Sequence, residues 1–467
     1  MKILVVLANY GTLNDVYLHR VLEEYRKMPY DVDIAVLSNV PKTLGPDIEV
    51  VLTLPPKNPY AFPFAHKKIL AERMPHYDLF IYSEDDTLYT QRNIEAFLRA
   101  TEVLPEDEIA GFLNTEADAK DNLHFCNVNF CYHWDPGSVK TRGEYTFAYF
   151  TNEHSASYML TRRHLRQAIE SGGFLVGPHE GRYQLRESAA TDPYTQCGFK
   201  KMICLSHLDD FLIRHLPGVK FASRPFAART EFQRQIDALL EIEKNGRPRG
   251  LLFEPETRAL HSKWSKDYYE KVRDDIISLL PANVQSVLSI GCGWGAREGS
   301  LVKKGLRVVG VPMDSVIAAC AEAKGVEIVY GNFETARAKL ANNRFDCVLL
   351  SHVLHLVADP RKVLSTFVEL LSEGGIVIAI VPNFAQVTTL WRRLRRQPAY
   401  KDLGDYGKTG VHLTTPGIIR KWFQHCGLAV GKTVCRIPQR GQLAHWVSLG
   451  LADPLLAEEL IVVGRRP

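Results

Sequence analysis

Residues 287–295 read Val-Leu-Ser-Ile-Gly-Cys-Gly-Trp-Gly, an apolar strand that runs directly into a glycine turn. Glycines in such a turn let backbone N–H groups approach a ligand where the next helix begins. A strand, a tight turn and a helix in this order impose an α/β sheet on the chain around them. The turn lies well inside the chain. The long segment before it has its own opening strand, Lys2-Ile3-Leu4-Val5-Val6-Leu7, and its own acidic tip, Glu84-Asp85-Asp86. A chain of 467 residues exceeds one ordinary core, and two domains of about 200–250 residues are expected.

With 46% apolar and 24% charged residues, the composition is that of a soluble globular protein. A net charge of +4 is too small to argue for a nucleic-acid partner. No apolar run reaches the roughly 18 residues of a membrane span. Only Lys2 precedes the first apolar stretch, and Asn9-Tyr10-Gly11 ends it, so it reads as a strand and not a signal peptide. The nine cysteines form no C-x-x-C pair. Reduced thiols and a cytoplasmic location are expected.

In the C-terminal half, strand-like runs at 284–290, 307–311, 326–330, 345–350 and 376–381 alternate with helical runs. That alternation predicts a parallel sheet covered on both faces. Residues 428–437 and 459–464 are expected to add an antiparallel pair. The turn Gly291-Cys-Gly-Trp-Gly-Ala296 also fits the dinucleotide pattern G-x-G-x-x-G/A, and a strand–helix turn without a ligand is the weaker alternative.

The residues that follow narrow the choice. They are Gly331-Asn332-Phe333-Glu334, then Phe345-Asp346 through Ser351-His352-Val-Leu-His355 to Asp359-Pro360, then Gly374-Gly375 and Val381-Pro382-Asn383. This series resembles the class I S-adenosylmethionine-dependent methyltransferases over roughly 260–467. The lead-in His261-Ser-Lys-Trp264-Ser-Lys-Asp-Tyr268-Tyr269 and His412-Leu-Thr-Thr415-Pro416 resemble a branch that includes sugar methyltransferases. The resemblance implies that Gly291, Gly293 and Gly295 hold the methionine end of the cofactor. Pro312 stands where the family usually has a ribose-binding acid, and Asp314 two residues on is the candidate in its place. Ser289 replaces the acid of the first motif. Asn332, with Phe333, stands where an adenine-binding Asp is common. Methylation of a hydroxyl needs a proton acceptor, most often histidine; the candidates are His352, His355 and His412, each also explicable as a packed structural imidazole.

In the N-terminal half, strands at 2–9, 32–39, 48–54 and 78–83 alternate with helical stretches such as 15–28. The strand Asp78 to Ser83 delivers Glu84-Asp85-Asp86 to the carboxyl edge of a sheet, where open α/β sheets bind ligands. Closely spaced carboxylates suit Mg²⁺ or Mn²⁺ bridging a diphosphate. Together with Leu7-Ala8-Asn9-Tyr10 and Val36-Leu37-Ser38-Asn39, this stretch resembles GT-A glycosyltransferases over about 1–250. The resemblance implies that Asp86 holds a divalent metal, Asp85 or Glu84 the metal or the donor ribose, and Asn9, Tyr10 and Ser38 the nucleotide. Residues 153–157 are a candidate acceptor wall. In Ser206-His207-Leu208-Asp209-Asp210, Asp209 or Asp210 is a candidate base and His207 a candidate third metal ligand; an N-terminal capping pair explains the two acids as well. Arg224 and Arg229 are candidates for neutralising diphosphate.

The polar stretch 241–250 marks a domain boundary near 250, so the expected division is 1–250 and 251–467. The expected architecture is α/β throughout, a GT-A-like sheet followed by a class I methyltransferase sheet. The expected function is bifunctional glycan modification: sugar transfer from a nucleotide-sugar donor, then O-methylation of a sugar hydroxyl. Two alternatives stay open, a methyltransferase with a non-catalytic carbohydrate-binding first domain, and a scaffold with both chemistries lost. Leu390-Trp391-Arg392-Arg393-Leu394-Arg395-Arg396 fits a short interfacial helix, an acceptor lid or a solvated helix. A lipid-linked glycan at the inner membrane surface is therefore among the candidate acceptors.

Overall fold

The computed structural model describes all residues except 54–57, 119, 121, 126–130, 217–226, 247–249, 253–263, 398–399 and 467. The chain divides into two compact units, residues 1–129 with 134–247, and residues 130–133 with 248–467. Arg224 and His261 lie outside the described residues.

The first unit is built on β1 (Lys2–Asn9), β2 (Asp31–Ser38), β3 (Ile48–Leu52), β4 (Leu79–Glu84) and β5 (Ser157–Thr161), in the order β5-β4-β1-β2-β3. Pairing is parallel except at β5, which runs antiparallel to β4. Ile3 to Leu7 are fully buried, as the continuous apolar run requires of a central strand. Helix α1 (Asp15–Arg26) covers this sheet with Leu18, Val21, Leu22 and Tyr25. Each such buried side chain contributes about 1.5–3 kcal/mol. Two smaller sheets, not expected from the sequence, complete the unit. One joins 108–111, 200–204, 145–150 and 134–142; the other joins 227–228, 123–125, 113–117, 212–215 and 87–88.

The second unit has seven strands: β6 (Ser286–Cys292), β7 (Arg307–Pro312), β8 (Glu327–Ile328), β9 (Phe345–Ser351), β10 (Leu371–Pro382), β11 (Ala429–Arg436) and β12 (Glu459–Arg465). Their order is β8-β7-β6-β9-β10-β12-β11. The expected antiparallel pair is present, and β12 also pairs antiparallel with β10, so it lies inside the sheet. The remaining pairs are parallel. The strand order reverses beside β6, which places a ligand crevice at the carboxyl ends of β6 and β9. Among the described residues no helix is long and apolar enough to cross a membrane. The eight described cysteines are free thiols.

Asp346 staples the start of this sheet. Its Oδ2 accepts from the Gln285 and Ser286 amides and from Ser286 Oγ, each at 2.9 Å. Removing it leaves these donors at the sheet's entry without their acceptor, a loss of about 1–3 kcal/mol. Asp346→Ala is expected to lower the denaturant midpoint of the second unit accordingly, at an unchanged m-value. An unaltered midpoint would show that solvent replaces the staple.

Candidate functional site

The glycine turn leaves β6 at its carboxyl end and starts helix α2 (Ala296–Lys303). Gly291 and Gly295 have φ of 79° and 74°, in the left-handed region that favours glycine. Gly293 also meets a constraint from within the fold. A Cβ there would stand 2.1 Å from the Tyr268 carbonyl oxygen, which also accepts a 2.9 Å bond from the Trp294 amide. The lead-in segment therefore packs against the turn, and a side chain at 293 would collide with it before it met any ligand.

Ser289, standing in for an acid, donates to Glu298 Oε1 at 2.8 Å. A carboxylate from α2 thus approaches the position the strand leaves without one. Asp314 is buried, and its Oδ1 accepts from the amides of Val316 and Ile317 at 2.7 and 2.8 Å. It caps the turn after β7, while its Oδ2 is 4.0 Å from His133, which belongs to the second unit. Next to it, Ser315 Oγ is buried without a hydrogen-bond partner among the described residues. Asn332 N-caps helix α3 (Phe333–Lys339) by accepting from Thr335 N, and Phe333 packs edge-on against Phe367.

A buried charge network, missed from the sequence, lies beside the turn. Glu270 pairs with Lys266 and Arg297, accepts from Ser351 Oγ at 2.7 Å, and lies 3.7 Å from His352 Nδ1. His352 Nε2 is 2.9 Å from Glu459 at the start of β12, and Arg273 is 2.9 Å from the same carboxylate. Burial disfavours the imidazolium, but hydrogen bonds that its ring N–H groups donate to Glu270 and Glu459 outweigh this and raise the His352 pKa. Burial likewise opposes ionisation of Glu270, yet Arg297 and Lys266 hold it well below the usual carboxylate range. Both ring nitrogens of His352 thus face carboxylates of the protein.

His352 and His355 line a cavity of about 170 Å³ with Trp264, Asn383, Gln386 and Glu459. His355 is fully buried, and desolvation, reinforced by His352, pushes its pKa down to about 3. Its Nε2 lies 2.8 Å from the Trp264 carbonyl, which only accepts. The proton is therefore assigned to Nε2, leaving Nδ1 with a bare lone pair. That Nδ1 has no hydrogen-bond partner among the described residues. His412 is placed elsewhere: it stacks on Tyr406 and its ring bonds the Ala358 carbonyl.

In the first unit, Asp85 and Asp86 are buried at the end of β4. Asp85 accepts from Asn9 at 2.7 Å and from Asn14 at 2.8 Å. Burial, then the charge of Asp86, pushes the Asp85 carboxyl up to about 7. Glu84 is 3.7 Å from Arg186, and the Glu84 amide bonds Ala156, so 153–157 does border the tip. Tyr10 is half exposed against Phe62, and Ser38 is buried, donating to the Val40 carbonyl to turn the chain.

The imidazole at the tip is that of His215, not His207. His215 sits 3.4 Å from Asp86 and 2.7 Å from Glu116 because its strand pairs it with Thr87. Burial opposes its charge, but these two carboxylates raise its pKa to about 10. His207 instead bonds Ser206 and packs on Tyr145. Asp209 pairs with Arg229, and Asp210 with Arg92, so neither is an unpaired base. No group of three potential metal-ligating His, Cys, Asp or Glu side chains occurs among the described residues.

With this geometry in view, residues 288–379 match a family model described as a methyltransferase domain. A ubiquinone biosynthesis O-methyltransferase of Cereibacter sphaeroides is 34% identical over 113 residues, 23% of this chain and 46% of that protein. An uncharacterized methyltransferase of Mycobacterium bovis is 27% identical over 115 residues, 24% of this chain and 57% of that one. The chain thus spans less than half the length of the ubiquinone O-methyltransferase it matches. Among solved structures, an S-adenosylmethionine-dependent methyltransferase from Mesorhizobium loti is 20% identical with a TM-score of 0.30, over 41% of this chain and 96% of that one. Magnesium protoporphyrin IX methyltransferase from Synechocystis PCC 6803 is 16% identical with a TM-score of 0.30, over 41% and 78%.

The acidic tip lies outside residues 288–379, and its protonation is testable by itself. Asp85 shifts from 3.8 to about 7 on folding, so the folded state holds its proton more tightly. The resulting stabilisation is full below pH 3.8 and lost as pH rises through 7. Asp85→Asn cannot lose that proton. Its melting temperature is expected to exceed that of wild type by several degrees at pH 8, with a smaller difference at pH 5. A difference independent of pH would mean that Asp85 ionises normally.

Proposed function

With a class I S-adenosylmethionine-dependent methyltransferase domain in the C-terminal part of the chain, we propose that the second unit is an O-methyltransferase. The family match across the glycine turn carries this proposal. The cavity beside the carboxyl ends of β9 and β10 supports it. An oxygen acceptor is supported by the curated O-methyltransferase similar to residues of this chain.

In this assignment the turn Gly291 to Gly295 holds the methionine end of S-adenosylmethionine, Asp314 and Ser315 the ribose, and Asn332 and Phe333 the adenine. The unpartnered Ser315 hydroxyl fits a ligand at the end of β7. The bound cofactor supplies an electrophilic methyl group on sulfonium sulfur. Everything else is positioning, which brings much of the rate in such a displacement. His355 Nδ1 accepts a hydrogen bond from the acceptor hydroxyl and orients its oxygen; the oxygen–methyl bond forms as the sulfur–methyl bond breaks, and the hydroxyl proton leaves to solvent. His352, held between Glu270 and Glu459, fixes the wall of the cavity. In a test with S-adenosylhomocysteine titration and a panel of phenolic and sugar acceptors, wild type is expected to bind S-adenosylhomocysteine and methylate at least one acceptor. His355→Ala is expected to lose about 10²-fold or more in kcat at unchanged S-adenosylhomocysteine affinity. No binding by wild type would reject the methyltransferase; full kcat in the variant would reject the role of His355.

A second activity, sugar transfer by the first unit from a nucleotide-sugar donor to a glycan, is supported by one observation. Asp86 Oδ1 and Asn9 Oδ1 are buried at the strand ends without hydrogen-bond partners among the described residues. Two such oxygens suit a hard divalent cation, Mn²⁺ or Mg²⁺, whose other ligands would come from the donor. A non-catalytic carbohydrate-binding unit is the alternative. Release of nucleotide from candidate donors is expected to require Mn²⁺ or Mg²⁺ and to fall at least 100-fold in Asp86→Asn. Undiminished release in excess chelator would exclude the metal.

A further inference from the structure

Two stretches of the second unit, 385–401 and 431–452, contain no Asp or Glu. They hold most of that unit's exposed large apolar side chains among the described residues. Helix α4 (Val387–Leu394) in the first stretch leaves Trp391 46% and Leu394 83% exposed. Helix α5 (Gln442–Val447) and the turn after it leave Trp446 72% and Leu449 89% exposed. The first stretch carries Arg392, Arg393, Arg395, Arg396 and Lys401, and the second Lys432, Arg436 and Arg440. Arg395 lies over the Trp391 ring at 3.8 Å.

The two stretches are joined at their bases. Gln386, just before α4, donates to the Leu456 carbonyl at 3.3 Å, and Asn383 donates to Pro454 and Ala457 at 2.8 and 3.0 Å. Both reach the cavity described above: Gln386 and Thr389 line it from the first, Arg436 from the second. Both stretches therefore reach the wall of one cavity, whose lining also includes Glu458 and Glu459, while their exposed tryptophan and aliphatic side chains stand among arginines outside it.

We infer that this surface docks the second unit on an anionic lipid bilayer. Tryptophan and leucine partition into the interface between headgroups and acyl chains, while arginines meet lipid phosphates. A second copy of the chain is the poorer occupant, because a two-fold contact would set these arginines against one another. The inference goes beyond methyl transfer, and binding to vesicles is measured without it.

The experiment is flotation of the full chain with phosphatidylglycerol-containing or pure phosphatidylcholine vesicles, at low and high salt. Two variants accompany wild type, Arg393→Gln/Arg396→Gln and Trp446→Ser/Leu449→Ser, with melting temperature and S-adenosylhomocysteine affinity as checks of folding. Wild type is expected to bind the anionic vesicles at least tenfold more than the neutral ones and to be released by salt. Each variant is expected to lose at least fivefold. The inference is overturned if wild type stays unbound at low salt, if folded variants bind as wild type does, or if light scattering shows a dimer that excludes vesicles.

Discussion

The second unit depends on one carboxylate. Glu270 draws together Lys266 of its own segment, Arg297 of the helix after the glycine turn, and Ser351 with His352 at the end of β9. Through His352 it is linked to Glu459 on β12. Buried charges cost several kcal/mol each unless their partners are in place, so each of these groups is tolerable only because the others are there. A network of this kind adds less to net stability than to uniqueness. It selects the one arrangement of lead-in, turn and strand ends in which no charge is left alone.

The same network shifts two neighbouring imidazoles in opposite directions. The pKa of His352 is raised between two carboxylates, and that of His355, three residues on, is lowered by burial. His352 also adopts φ of 53°, a conformation that costs a non-glycine residue about 1–2 kcal/mol. Its ion pairs hold it there. Both imidazoles line the cavity, one held by ion pairs and the other with a buried Nδ1 that has no partner among the described residues.

Long central strands were legible in the sequence because burial on both faces leaves continuous apolar runs, as in Ile3 to Leu7 and Cys347 to Leu350. The strand 113–117 was not, because Asn114, Thr115 and Glu116 are polar and are buried by neighbours that the chain supplies much later. The acidic tip was visible, yet the wrong histidine was assigned to it. His207 and His215 are similar as sequence, and only the pairing of His215 with Thr87 decides between them. The turn's three glycines were found, but the constraint on Gly293 from within the fold was not, since Tyr268 meets it from a distant segment. Ser289 looked like a lost acid. Glu298 lies nine positions on, and the rise of α2 brings its carboxylate back; an acid in the first turn after a glycine loop was the available signal. The raised pKa of His352 depends in part on Glu459, which no local pattern connects to it.

The place of β12 bears on when the second unit can take shape. It follows β11 in the chain but lies between β11 and β10 in the sheet. On a ribosome, β11 emerges first and has no native neighbour to pair with until β12 has been made and has slotted in. Glu459, at the head of that strand, arrives with it. Until then Arg273 and His352 lack their common partner, and the half-made sheet presents an open apolar edge of the sort that chaperones hold. The second unit therefore completes its sheet and its charge network in one late, shared event.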